Sequence, residues 1–240
     1  MKTKSKALLL TLCAVLLVAA SVLGTMAYLT STAKVENTFT IGKVEITLDE
    51  TDVTNPNGPR VTANSYKLMP GRTYTKDPTV TVLNGSDAAY VRMKVTFNNA
   101  AEIIALCTDP EFADEVTGTE NAFPLMRMVN FVEANAAKWD GIIPDNMVET
   151  EDMLAMPKYF VHDAATNTLT YYFYYTETVG APNGDVKLPV LFDSITVPDW
   201  ATGEQLAQLK GFEINVVAEA IQAGSFANAG AAWAAFAPQP

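Results

Sequence analysis

The chain has 240 residues, 49% of them apolar, with 16 basic against 27 acidic side chains and a formal net charge of −11. That is enough for one sizeable domain with a real core, and its acidity disfavours nucleic acid and anionic membrane surfaces as partners. One histidine and two cysteines exclude zinc chemistry of the His-Glu-x-x-His or Cys-x-x-Cys kind.

Lys2, Lys4 and Lys6 precede an almost purely apolar run, Ala7 to Leu23, and Thr25 and Ala27 put small residues where a signal peptidase reads. The pattern predicts a signal helix over residues 1–27, cut between Ala27 and Tyr28. An uncleaved membrane anchor is the alternative, because about 17 apolar residues approach the lower limit for a span. The small residues favour cleavage. Cys13 follows Thr11-Leu12, which are not the small residues that lipid attachment needs. After cleavage 213 residues remain, 13 basic against 27 acidic, for a net charge of −14. Cys107 is then the one remaining thiol, so the mature chain cannot form an intramolecular disulfide. Its setting, Ile103-Ile104-Ala105-Leu106-Cys107, points to an inert buried side chain rather than a nucleophile.

From Leu29 the apolar residues fall on odd numbers: Leu29, Ala33, Val35, Phe39 and Ile41, with Thr30, Thr32, Lys34, Glu36, Thr38 and Thr40 between them. Period two predicts a strand with one face to bury. After Gly42 the parity changes, and Val44, Ile46 and Leu48 are the apolar positions. A shift of one residue turns every side chain to the other face, so Gly42-Lys43 is predicted to be a bulge or a break between strands. The arm and the strand after it can therefore belong to different sheets or to different molecules.

Asp49 to Gly58 reads as a solvated polar loop that lacks the ligand spacing of an EF-hand-type calcium site. Met69-Pro70-Gly71 reads as a tight turn. Thr79 to Leu83 and Tyr90 to Phe97 read as strands around an Asn84-Gly85-Ser86-Asp87 turn. In the second strand Val91, Met93, Val95 and Phe97 are predicted to face the core and Tyr90, Arg92, Lys94 and Thr96 the other side. Helical spacing at Ala100 to Cys107 and Phe123 to Ala137 predicts a partly helical insertion at about 98–157, with Trp139, Ile142 and Ile143 re-entering the sheet. Asp109, Glu111, Asp114 and Glu115 are predicted to form its solvated face.

Strand character returns at Tyr159 to Val161, with His162 at a strand end in a structural role, and at Thr168 to Tyr175. The run Tyr171 to Tyr175 puts aromatics on both faces. Tyr172 and Tyr174 then need a cover, by packing under helices or by a partner such as a carbohydrate. Val186 to Val197 is a further apolar stretch bent by Pro189, and Thr202 with Gln205 forms a capping box for a short helix ending near Gly211. Phe212, Ile214, Val216 and Ala218 mark a last strand. Phe226 to Phe236 is predicted to lay Trp233 and Phe236 on the body. No Gly-rich phosphate loop, Gly-x-Ser-x-Gly elbow or Leu-Pro-x-Thr-Gly sorting signal occurs, and no catalytic residue, metal or cofactor is assigned.

Gly24-Thr25-Met26-Ala27-Tyr28-Leu29-Thr30, followed by Asn37 to Leu48 with its Gly42, resembles the SipW-dependent exported proteins of Gram-positive bacteria, the TasA/camelysin family. So do the Pro70-Gly71 turn leading to Thr75-Lys76-Asp77-Pro78 and Val80, the Asn84-Gly85-Ser86 turn, and Gly211 to Gln222. The resemblance covers the signal and both ends of the body, and 98–157 less clearly. It implies processing by a dedicated signal peptidase, a jelly-roll β-sandwich, and extracellular fibres of a biofilm matrix in which the N-terminal arm of one subunit completes a sheet of the next. Camelysins have been classed as metalloproteases, a role that one histidine does not support.

The expectation is a mainly β protein: a jelly-roll-like antiparallel β-sandwich over residues 44–240 with a partly helical insertion, behind a signal and an arm at 28–43. It would be a secreted structural subunit whose partner is itself, head to tail, or a related matrix subunit, through Leu29, Ala33, Val35, Phe39, Ile41 and the Gly42 break. Such heterologous addition does not close and so propagates. The alternative is a monomeric cell-surface binding or adhesion module that uses Tyr172 and Tyr174.

Overall fold

The computed structural model describes residues 43–108, 120–141 and 160–236. The chain divides into two units, Met1–Ile41 and Gly42–Pro240, and all the described residues belong to the second. The signal with its cleavage site at Thr25, Ala27 and Tyr28, the arm residues Leu29, Ala33, Val35, Phe39 and Ile41, and Gly42 lie outside the described residues. So do Asp109, Glu111, Asp114, Glu115, Ile142, Ile143 and Tyr159.

In chain order the elements are β1 (Ile46–Asp49), β2 (Thr73–Thr75), β3 (Thr79–Val82), β4 (Ser86–Asn98), α1 (Ala100–Cys107), α2 (Phe123–Met128), β5 (Val129–Phe131), β6 (Trp139–Asp140), β7 (Phe160–Asp163), β8 (Thr168–Tyr175), β9 (Val179–Ala181), β10 (Val186–Lys187), β11 (Phe192–Thr196), α3 (Gly203–Gln208), β12 (Ile214–Gln222) and α4 (Ala229–Ala235). The fold is mainly β, and the sheets are antiparallel and open. One sheet runs β1-β3-β10 and a second β2-β11-β5; the largest runs β12-β4-β8-β6, with β7 also on β8 and β9 also on β4.

β4 is the spine of the large sheet because from Ala89 onward its alternation is uninterrupted. Val91, Met93, Val95 and Phe97 are at most 1% exposed, and their neighbours Tyr90, Arg92, Lys94 and Thr96 are half-buried on the other face. Along one side β4 pairs with β12 from Ala89↔Gln222 to Phe97↔Ile214. Along the other it pairs with β9 at its start and with β8 from Arg92↔Tyr174 to Asn98↔Thr168. The register puts Leu169, Tyr171 and Phe173 of β8 beside the buried β4 residues. Phe97 meets Tyr171 edge-on at 5.7 Å, and Phe173 meets Phe131 at 5.8 Å. Val80 and Val82 of β3, Phe192 and Ile195 of β11, and Ile103, Leu106, Leu125 and Met128 of the helices join them in one continuous core.

The strands begin and end for local reasons. Gly85 turns the chain with φ 85°, but the turn is tighter than the sequence suggests: Ser86 and Asp87 already belong to β4. Ser86 Oγ accepts from the Glu45 N–H at 3.0 Å, which ties the start of β4 to the start of β1. The expected helix over 123–137 is cut to α2. Val129 to Phe131 are taken by β11, where they pair as Ile195↔Val129 and Phe192↔Phe131, and residues 133–138 form a 3-10 turn. Trp139 does re-enter the sheet, opposite Tyr175, and its Nε1 donates to the Pro189 carbonyl at 3.0 Å. His162 lies at the end of β7 as expected, opposite Leu169 and one residue short of the turn over 164–167. The capping box is present, with Gln205 N–H donating to Thr202 Oγ1 and Gln205 Oε1 accepting from Thr202 N–H.

Candidate functional site

Two sheet edges face each other across a groove. On one side is β1, which pairs with β3 through Leu48↔Val80 and Thr47↔Thr81. The Leu83 N–H donates to the Glu45 carbonyl at 2.9 Å, so the alternation of an antiparallel pair turns the main-chain groups of Ile46 and Leu48 away from β3. On the other side is β12. The Asn98 N–H reaches the Glu213 carbonyl, so the same alternation turns those of Ile214, Val216, Ala218 and Ala220 away from β4. Among the described residues no strand pairs with either outer edge. Beyond Leu48 the edge is capped, since Glu50 and Val61 exchange main-chain hydrogen bonds at 2.7 and 2.8 Å.

The groove between these edges has a volume of about 440 Å³. Leu48, Leu68, Ile195, Phe212, Ile214 and Val216 line it with apolar surface, and Glu50, Asn64, Tyr66 and Lys76 line it with polar groups. Open edges with apolar slots between them are what an added strand requires: main-chain groups supply affinity and alternate side chains supply specificity.

The polar wall rests on Glu50, which the sequence reading placed in the solvated loop 49–58, and on Asn64, Tyr66 and Lys76, to which it gave no role. Glu50 is 5% exposed and pairs with Lys76, itself 8% exposed, at 2.9 Å. Asn64 Nδ2 donates to the other Glu50 oxygen at 3.0 Å and to the Thr51 carbonyl at 2.8 Å. The Tyr66 hydroxyl donates to the Thr75 carbonyl at 2.7 Å, and burial, then the Glu50 charge, pushes the phenol well above its ordinary range. Behind this wall Arg60 ties β1 to β3. It donates to Asp49 Oδ1, Thr51 Oγ1, Asp77 Oδ2, the Asp49 and Asp77 carbonyls and Thr79 Oγ1. Burial alone would raise the Asp77 carboxyl. Hydrogen bonds from Arg60 and from the Thr51 N–H and hydroxyl outweigh that and hold it below the usual aspartate range.

Tyr172 and Tyr174 are on the face of β8 away from the core, as their parity requires, but they form no open platform. Both are half-buried. Arg92 sits in an aromatic box, with its guanidinium carbon 5.2 Å from the Tyr172 ring centre, 5.9 Å from Tyr174, 4.4 Å from Trp233 and 4.9 Å from Phe236. Glu219 of β12 accepts from Arg92 at 2.5 Å. The cover over Tyr174 is therefore the C-terminal segment carrying α4, as expected for Trp233 and Phe236, and not the helical insertion, which packs on the opposite, Tyr171 face. Burial pushes the Cys107 thiol far up and so keeps it from acting as a thiolate. Among the described residues no group of three His, Cys, Asp or Glu side chains is arranged to hold a metal ion.

Comparison with protein-family models, with curated proteins and with solved structures finds no match for this chain. The residues that sequence reasoning missed are Glu50, Arg60, Asn64 and Lys76. The one available signal was the Thr75-Lys76-Asp77-Pro78 run, which the family resemblance singled out without assigning it a role.

Proposed function

We propose that this chain is the exported subunit of an extracellular fibre, built on a jelly-roll-like sandwich, in which residues 29–41 of one copy add as a strand to the β1–β12 groove of the next. The observation that carries this reading is the pair of open edges around an apolar groove in a chain whose N-terminal arm alternates with period two. Leu29, Ala33, Val35, Phe39 and Ile41 would turn toward the groove, and the threonines between them toward water.

Energetics explain why the acceptor must be a sheet edge. Ordering an extended arm costs ~1–2 kcal/mol per residue. Only Leu29, Ala33, Val35, Phe39 and Ile41 have an apolar side chain to bury, at ~1.5–3 kcal/mol for each large one and less for Ala33. The ordering cost is the larger of the two, because only five of the thirteen residues carry an apolar side chain, so main-chain hydrogen bonds to the open edges at Ile46 and Leu48 and at Ile214 and Val216 must make up the difference. A groove on a helical surface could not supply them.

The test is to prepare 28–240 and 42–240 and image both by electron microscopy. Filaments from the first and dispersed monomers from the second are expected. The same filaments from 42–240 would remove the arm from the linkage. A monodisperse 28–240 at high concentration would mean that the arm fills its own groove, as in a monomeric surface module.

A further inference from the structure

Beneath the groove a primary amine, a carboxyl group and a carboxamide converge. Glu50 directly follows β1, Lys76 directly follows β2, and Asn64 lies in the segment between them. One carboxylate holds both partners: Glu50 Oε2 accepts from Lys76 Nζ at 2.9 Å, and Glu50 Oε1 accepts from Asn64 Nδ2 at 3.0 Å. The Val53 N–H donates to Asn64 Oδ1 at 3.0 Å. An ion pair needs only Lys76 and Glu50. Here the same carboxylate also grips the leaving nitrogen of an amide whose carbonyl oxygen already accepts a main-chain N–H.

We propose that Lys76 and Asn64 join through an intramolecular isopeptide bond, with Glu50 as the catalytic carboxylate. Glu50 Oε2 takes a proton from the Lys76 ammonium, and the freed amine attacks Asn64 Cγ. The Val53 N–H stabilises the negative charge that develops on Oδ1, as an oxyanion donor does. The proton held by Glu50 passes to Nδ2, the Cγ–Nδ2 bond breaks, and Glu50 then takes the second proton of the former lysine amine and hands it to the departing ammonia, which leaves as ammonium. The balance is Lys–NH3+ plus Asn–CONH2 giving Lys–NH–CO–Asn plus NH4+; one C–N bond forms, one breaks, and nothing is oxidised or reduced. Burial of the reacting groups, Glu50 at 5% and Lys76 at 8% exposure, keeps bulk water from competing with the amine. The bond would tie the segment that walls the groove to the end of β2. It does not depend on the strand-addition reading.

Peptide mapping of the purified protein after denaturation and trypsin digestion decides the matter. With the bond in place, trypsin does not cut after Lys76, and Val61–Lys67 appears joined to Thr73–Arg92, one ammonia lighter than the two together. Glu50→Gln and Asn64→Ala are expected to give separate peptides of full mass. Separate Val61–Lys67 and Thr73–Lys76 peptides of unchanged mass from the unmutated protein would overturn the proposal and leave an ordinary buried ion pair. Loss of ammonia confined to Val61–Lys67, with Lys76 cleaved normally, would also overturn it, because it marks a succinimide at Asn64-Ser65. A crosslink that persists in Glu50→Gln would remove Glu50 from the chemistry. The unmutated protein decides whether the bond forms, so a variant that fails to fold does not obscure the answer.

Discussion

Replacing Arg60 by alanine removes a cation that makes six hydrogen bonds and joins the end of β1 to the start of β3. The Asp77 side chain is 18% exposed and Asp49 is 32% exposed, so neither is rehydrated fully when its partner goes. Breaking a fully buried pair costs about 3–5 kcal/mol. Arg60 is itself 26% exposed, which lowers the figure to about 2–4 kcal/mol once solvent screening is allowed for. For a domain of this size that is a fall in Tm of roughly 5–15 °C at neutral pH. The pH dependence adds an independent check. Asp77 titrates below its ordinary range in the folded protein, so its contribution is complete above the unfolded aspartate value near ~4 and is lost as pH falls through the folded value. The gap in Tm between parent and variant should therefore be widest near neutrality and narrow below about pH 4. Calorimetry at pH 7, 5 and 3 measures both. A neutral-pH shift under about 2 °C, or a gap that does not narrow in acid, would refute the reasoning.

Two further perturbations separate the core from the edge. Phe173→Ala empties a fully buried site that touches Phe131 and should cost about 3–5 kcal/mol in urea unfolding, with an unchanged denaturant slope; a loss under about 1 kcal/mol would place Phe173 outside the core. Val216→Pro puts a residue without an N–H where that group points away from β4. The circular dichroism of 28–240 should stay native while its filaments are lost, and normal filaments would exclude this edge as the acceptor.

The sheet was legible in the sequence wherever burial alternates cleanly. Val91, Met93, Val95 and Phe97 announce β4 because one face is core and one is wet, and β8 is found over the expected residues despite its unbroken aromatic run. The Thr202–Gln205 box was legible because a cap is a contact over three residues. Val129 to Phe131 were not, since three residues are too few to show a period and β11, distant in sequence, decides their state. The polar wall of the groove was hidden for the same reason. Glu50, Asn64 and Lys76 are 14 and 26 positions apart across turns, and an acidic loop reads as solvated until the lysine and arginine that bury it are in place. Tyr172 and Tyr174 were assigned to the right face, and the identity of their cover, Trp233 on α4, came from the far end of the chain.

Hydrogen exchange of 42–240, with and without a peptide of residues 28–41, tests the central claim most directly. Strand addition protects the outward amides of Ile46, Leu48, Ile214 and Val216 in the presence of the peptide and leaves the amides already bonded between β4 and β8 unchanged. Unaltered exchange at those four amides under saturating peptide, or protection confined to another face, would contradict it.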